Sequence, residues 1–295
     1  DVATGSVIVV DHGEYDDGWE RWGIQDYVFS PDSAWIAYTK LEESIYESIF
    51  LYNIAEGKIH RVTGPHTNDW SPSFDPQGRY LYFLSYRDFD PVYDSHCFDL
   101  GFPRGMRPYL VTLRADVPSP FEPEPRPPHD GSGRRKKGRR AHEAEEEGEE
   151  RPDSRSPRIV EIEPEGLVDR VLAFPVPEGR YGRVEGLSDQ VLFTSYPVEG
   201  SLRNSGACER EPGGRGTLVS YEFRSGERKE LASKVSGFRL CQDGRTLVYR
   251  SGNRLRALPA GKKPDEKAED RPGRKSGWID LGRVRPALWP AREWG

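Results

Sequence analysis

The chain has 295 residues, of which 35% are hydrophobic and 31% charged, and a formal net charge of -6. With 31 glycines and 25 prolines, this composition argues against both a wholly disordered chain and a helical bundle, and the mild charge gives no case for nucleic-acid binding. No run approaches the ~18 apolar residues of a membrane span, no signal-peptide pattern is present, and three scattered cysteines, Cys97, Cys208 and Cys241, fit a reducing compartment better than a disulfide framework.

Short runs of Val, Leu, Ile, Tyr and Phe alternate with Gly, Pro, Asp and Asn clusters, which reads as strands and turns. The pattern repeats. Phe29-Ser30-Pro31-Asp32-Ser33 precedes Trp35-Ile36-Ala37-Tyr38, and Phe74-Asp75-Pro76-Gln77-Gly78 precedes Tyr80-Leu81-Tyr82-Phe83, an offset of 45 residues (74 − 29). A period of about 40–45 residues marks propeller blades of four short strands. The expected fold is therefore all-β, a β-propeller of four-stranded antiparallel blades.

In chain order, residues 1–11 are expected to hold one strand of an otherwise missing blade. The first whole blade spans 24–63, with strands near Val28, 35–39, 48–52 and 58–62. The second starts near Trp70, with strands at 80–85, 109–113 and 170–174. The third covers 181–232, using 191–195, 217–223 and 228–231. The fourth covers 235–284, using 238–240, 246–250, 254–258 and 278–281. The turns Pro31-Asp32-Ser33, Pro76-Gln77-Gly78 and Gln242-Asp243-Gly244 supply a Pro-fixed φ, Asx hydrogen bonds and Gly at positive φ.

Residues 116–157, Pro-rich and then strongly basic and strongly acidic, read as a solvated disordered insertion; 262–275 is a second charged loop. The chain starts at Asp1 and its only methionine is Met106, so it is expected to be a processed chain or a piece of a longer one. Residues 1–285 form the partial propeller, and 286–295 begin a linker.

No G-x-S-x-G nucleophile elbow occurs, and the six histidines sit at loops or strand edges without an obvious serine and acid. No zinc spacing is present, and Asp88, Asp90 and Asp94 fail the EF-hand pattern. Asp26, Asp69, Asp169 and Glu185 are candidate channel carboxylates of a glycosidase kind, although carboxylates at blade junctions more often accept backbone hydrogen bonds. No catalytic residue, metal ligand or cofactor is therefore assigned. The stretch 87–104 is unusual because it is both aromatic and charged where a short hairpin would suffice. One reading packs Phe89, Tyr93, Phe98 and Phe102 over the blade edge. The other makes it a channel or interdomain contact surface, carried by Arg87, Tyr93, Asp94, His96, Asp99 and Arg104.

The segment WSPSFDPQGRYLYFLSYRDFDPVYDSHCFDLGFPRGMRPYLVTLRADVPSPF (70–121) resembles the tricorn protease family. So do VFSPDSAWIAYTK (28–40), RVLAFPVPEGRYGRV (170–184) and SGWIDLGRVR (276–285). The resemblance implies the later blades of a seven-bladed propeller that admits oligopeptides to a cytoplasmic, ATP-independent serine peptidase. It also implies a homohexameric parent whose peptidase core domains, and hence its catalytic residues, lie beyond this chain. Peptides and those core domains are the expected partners, with no nucleic acid and no membrane. Two other classes stay open: a non-catalytic TolB-like protein-binding propeller, and the filter propeller of a prolyl-oligopeptidase-type enzyme.

Overall fold

A computed structural model describes residues 4–13, 15, 23–122, 159–199, 214–265 and 270–283. It forms four antiparallel sheets arranged as propeller blades. Blade I runs β1 (Ile24–Phe29), β2 (Trp35–Leu41), β3 (Glu47–Asn53) and β4 (Lys58–Arg61). Blade II pairs β5 (Asn68–Phe74) with β6 (Tyr80–Tyr86), then β9 (Met106–Thr112) and β10 (Val171–Ala173). A separate hairpin, β7 (Val92–Asp94) and β8 (Asp99–Gly101), interrupts it. Blade III is β11 (Arg180–Gly186), β12 (Gln190–Tyr196), β13 (Gly216–Glu222) and β14 (Arg228–Val235). Blade IV is β15 (Gly237–Leu240), β16 (Thr246–Ser251) and β17 (Arg254–Pro259).

The apolar runs are continuous because every blade but the terminal ones buries both faces. Along β6, Leu81 and Phe83 pack toward blade I with Ile49 and Leu51, while Tyr80, Tyr82 and Leu84 pack toward blade III with Val191 and Phe193. Successive side chains point to opposite faces, so Tyr-Leu-Tyr-Phe-Leu serves two cores at once. Between blades III and IV, Leu192, Leu218, Phe238, Leu247 and Tyr249 form a third core.

The first strands of the blades lie against each other, β1 on β5, β5 on β11 and β11 on β15. They are the inner strands lining the axis. Each of the first three carries a β-bulge, between Gln25 and Val28, Trp70 and Ser73, and Tyr181 and Val184. Asp26 (φ 53°) and Ser71 (φ 57°) take left-handed backbone at the first two bulges, and the extra twist there bends the strand around the axis. The packing is closest at Gly186. A Cβ there would lie 2.3 Å from the Tyr82 ring, so only glycine lets β11 approach blade II.

The sequence expectations need four corrections. Residues 5–13 form no strand, and Val7, Ile8 and Val9 are exposed, because no described strand lies beside them to complete a ladder; residues 1–3 lie outside the described residues. The fourth strand of blade IV shrinks to one bridge, Arg256 to Trp278, and Leu281–Arg283 is a 3-10 turn. Blade III gains an inner strand, β11, ahead of the three expected strands. The charged insertion starts later than residue 116: Val117 and Phe121 pack on the core between blades II and III, while 123–157 lie outside the described residues, as do 286–295. Its return leg is also fixed. The buried Val160 N–H donates to Asp32 Oδ2 at 2.7 Å, and Val160 covers Gly78. In the loop 262–275, residues 266–269 are not described, but Asp270 accepts two bonds from Arg254 Nη1 at 2.9 and 3.0 Å.

The expected turns form as read. Asp32 Oδ1 accepts from Ser30 Oγ at 2.6 Å and from the Ala34 N–H at 3.1 Å, which with the Val160 bond holds its carboxyl below the usual range although partial burial opposes this. Asp243 plays the same part for Arg245 and Thr246. Antiparallel alternation puts these turns, and the described flanks of the charged insertion at Glu122 and Ile159, on one side of the propeller. The hairpin β7–β8, joining the second and third strands of blade II, projects from the opposite side.

Candidate functional site: axis and aromatic hairpin

Three inner-strand hydrogen bonds tie the blades together near the axis. The Ser71 N–H donates to Asp26 Oδ2 at 3.2 Å, the Gly186 N–H to Ser73 Oγ at 3.4 Å, and the Leu240 N–H to Glu185 Oε2 at 2.6 Å. The partners Asp26 and Ser71 are 45 residues apart, the repeat length read in the sequence. Asp26 and Glu185 therefore act as blade fasteners, not as a catalytic carboxylate pair. Asp69 is fully buried against Arg87, and Asp169 lies in a 3-10 turn before the outer strand β10. The reading that carboxylates at blade junctions accept backbone hydrogen bonds holds for Asp26 and Glu185; what the sequence did not show is the bulge that sets Asp26 at positive φ, since a non-glycine residue there has no local signature.

Burial raises the Glu185 carboxyl above its usual value, against the opposing pull of the Leu240 amide and of Arg183 and Arg239. Its folded value thus exceeds the 4.5 of an unperturbed glutamate. The stability linked to its proton is fully present below 4.5 and is lost as pH rises through the folded value. Glu185→Gln keeps an acceptor for Leu240 and removes the charge. Relative to the native chain, its melting temperature is expected to gain as pH rises from 4.5 to neutrality. A constant difference across that range would show that the carboxyl is not held up by burial.

The hairpin residues 87–104 divide into an anchor and an exposed surface. Arg87 is the anchor. Its Nη2 donates to both oxygens of the buried Asp69 at 3.0 Å, its Nε donates to Ser85 Oγ at 2.7 Å, and its guanidinium lies over the Tyr109 and Phe83 rings at 5.0 and 5.6 Å. The other candidates, Tyr93, Asp94, His96, Asp99 and Arg104, are exposed. Asp94 Oδ1 accepts from the His96 N–H at 2.8 Å, and this with the Cys97 amide lowers its carboxyl. These bonds and Phe98 at φ 58° shape the four-residue turn. Phe89, Tyr93, Phe98 and Phe102 do not cover the blade edge; they are 74%, 59%, 77% and 50% exposed. The hairpin therefore leaves these four aromatic rings largely to solvent.

Among the described residues, no histidine side chain hydrogen-bonds a serine, and no cluster of His, Cys, Asp or Glu could hold a metal ion. Cys97 and Cys241 are free and exposed, and Cys208 lies outside the described residues.

The family model that matches residues 1–261 is the tricorn protease second beta propeller domain. The chain belongs to the tricorn propeller family. It is 34% identical over 291 residues to tricorn protease homolog 1 of Streptomyces coelicolor, covering 99% of this chain and 25% of that protein. With the tricorn protease homolog of Saccharolobus solfataricus it shares 33% identity over 287 residues, covering 97% of this chain and 23% of that protein. The crystal structure of the tricorn protease superposes with a TM-score of 0.66 at 22% identity, over 88% of this chain and 23% of that one. The chain thus spans about a quarter of the length of these curated tricorn relatives. No helix among the described residues is long and apolar enough to cross a membrane.

Proposed function

We propose that this chain is the substrate-gating propeller of a tricorn-like serine peptidase that degrades oligopeptides in the cytoplasm. The peptidase core lies outside these residues, and the parent assembles into a ring-like homohexamer. The reading is supported by the family match over residues 1–261, joined to one geometric fact: four inner strands run side by side along an axis. Such a channel passes an extended chain and excludes a folded domain, so it selects by width before any bond is broken. The family match favours this over the TolB-like and prolyl-oligopeptidase alternatives.

An oligopeptide carrying a photoreactive group tests the gating role. Cross-links are expected on β1, β5, β11 and β15. Labelling confined to the outer strands β4, β10 and β14 would overturn it. The purified chain is also expected to release no fluorophore from quenched peptides; steady turnover abolished by a serine-directed inhibitor would place the chemistry here instead.

A further inference from the structure

On the hairpin side, between blades I and II, lies a cleft of about 140 Å³. Four aromatic residues from three separate segments wall it. Tyr46 comes from the β2–β3 loop, Tyr86 from the end of β6, and Phe89 and Phe102 from the two legs of the hairpin. The walls are braced. Phe89 and Phe102 meet edge to face at 84° with centroids 6.2 Å apart, and Trp70 backs Tyr86 at 5.1 Å. Gly105 closes the base. The Asp88 N–H donates to its carbonyl at 3.3 Å, and a Cβ on Gly105 would lie 3.1 Å from the Asp88 carbonyl oxygen, so a larger residue there would push the two legs apart.

The ionisable side chains of the lining, its tyrosines aside, are Asp88 and His66. The first is held in place. Its Oδ2 accepts from the Tyr109 hydroxyl at 3.0 Å, and its Oδ1 faces Arg107 at 3.2 Å. Arg107 is shared with Glu178 at 3.9 Å, and Arg180 acts on Tyr86 from outside the lining, so Asp88 is the one carboxylate of the lining and its charge is only partly balanced by Arg107. Aromatic faces present negative potential, and rings set at angles around a small space attract a cation, more so beside a carboxylate.

From this arrangement we infer that the cleft is a binding site for an alkylammonium group, the lysine side chain or amino terminus of a peptide. It captures the cation at the mouth of the propeller, beside the hairpin. The inference rests on the gating proposal only for the source of the cation; the cage itself needs no axial passage.

The test is a fluorescence titration of the full chain, reading Trp70 beside Tyr86, with Nα-acetyl-lysine amide and its norleucine counterpart. The lysine compound is expected to bind at least tenfold tighter, and acetylation of its Nζ to remove the difference. Phe102→Ala and Tyr86→Leu are each expected to weaken binding fivefold or more with an unchanged circular dichroism spectrum. Tyr93→Ala, at the hairpin tip, should leave it as it is. Equal affinity for lysine and norleucine would overturn the inference, as would Tyr93→Ala weakening binding as much as Phe102→Ala. Loss of axial cross-linking with the lysine preference intact would sink the gating proposal alone, and the reverse result would sink the cage alone.

Discussion

Replacing Arg87 with alanine is expected to lower stability by about 3–5 kcal/mol, the range found when one partner of a buried ion pair is removed. The cause is Asp69. Its carboxylate is fully buried and takes both oxygens to Arg87. Without the guanidinium, the one side-chain hydrogen bond left to that charge among the described residues comes from the Thr67 hydroxyl, 2.8 Å away. The variant also loses the stacking on Phe83 and Tyr109, which holds the first leg of the hairpin onto blade II. Arg104→Ala and Tyr93→Ala, on the same hairpin but exposed, are expected to shift stability by no more than about 0.5 kcal/mol. Urea unfolding of the three variants separates the roles. If Arg87→Ala melts with the native chain yet fails to cross-link peptide, Arg87 is a contact residue and the assignment as anchor is wrong.

The contrast between Arg87 and its neighbours explains what could be read from sequence. Blade strands were legible because burial on both faces writes continuous runs such as Tyr80–Leu84, and because the Asp-capped turns recur at a fixed offset. Residues 5–10 show the limit of that reasoning. Val7-Ile8-Val9-Val10 has strong strand propensity, but propensity forms no ladder without a neighbour to pair with; the segment is held instead by Val10, packed on the Tyr38, Phe50 and Tyr52 cluster, and by Asp11, which accepts from the Tyr38 hydroxyl at 2.8 Å and from Lys40 at 2.9 Å. Roles inside the hairpin were not legible either. Arg87 and Arg104 look alike in sequence; what separates them is Asp69, on another strand. The aromatic cleft joins Tyr46 to residues 86–105, a pairing that appears only once blades I and II stack. The one local signal was Asp88 set between Tyr86 and Phe89, an acidic residue flanked by rings.

The other large effect is expected at Phe174, and it bears on where the core ends. This ring is fully buried, with Phe121 at 5.0 Å, Tyr221 at 5.5 Å, Phe223 at 5.9 Å and Tyr82 at 6.1 Å. Phe174→Ala should cost about 3–5 kcal/mol, the usual range for an aromatic truncation that leaves a cavity. Phe121 is only partly buried, and Phe121→Ala should cost about 2 kcal/mol, below that range for a fully buried ring. Because the two rings touch, the double variant should fall short of the sum by about 0.5 kcal/mol or more. Phe121 belongs to the segment that composition assigned to a solvated insertion. Packing assigns it to the interface of blades II and III, bridging a strand end of each. Two deletions discriminate between these views. Replacing 123–158 with a flexible linker should leave the melting temperature within a few degrees of native, whereas a deletion from 116 also removes Val117 and Phe121 and should match or exceed the loss seen in Phe121→Ala. Equal tolerance of both deletions would mean that the aromatic cluster closes without its fifth ring and that the insertion does begin at 116.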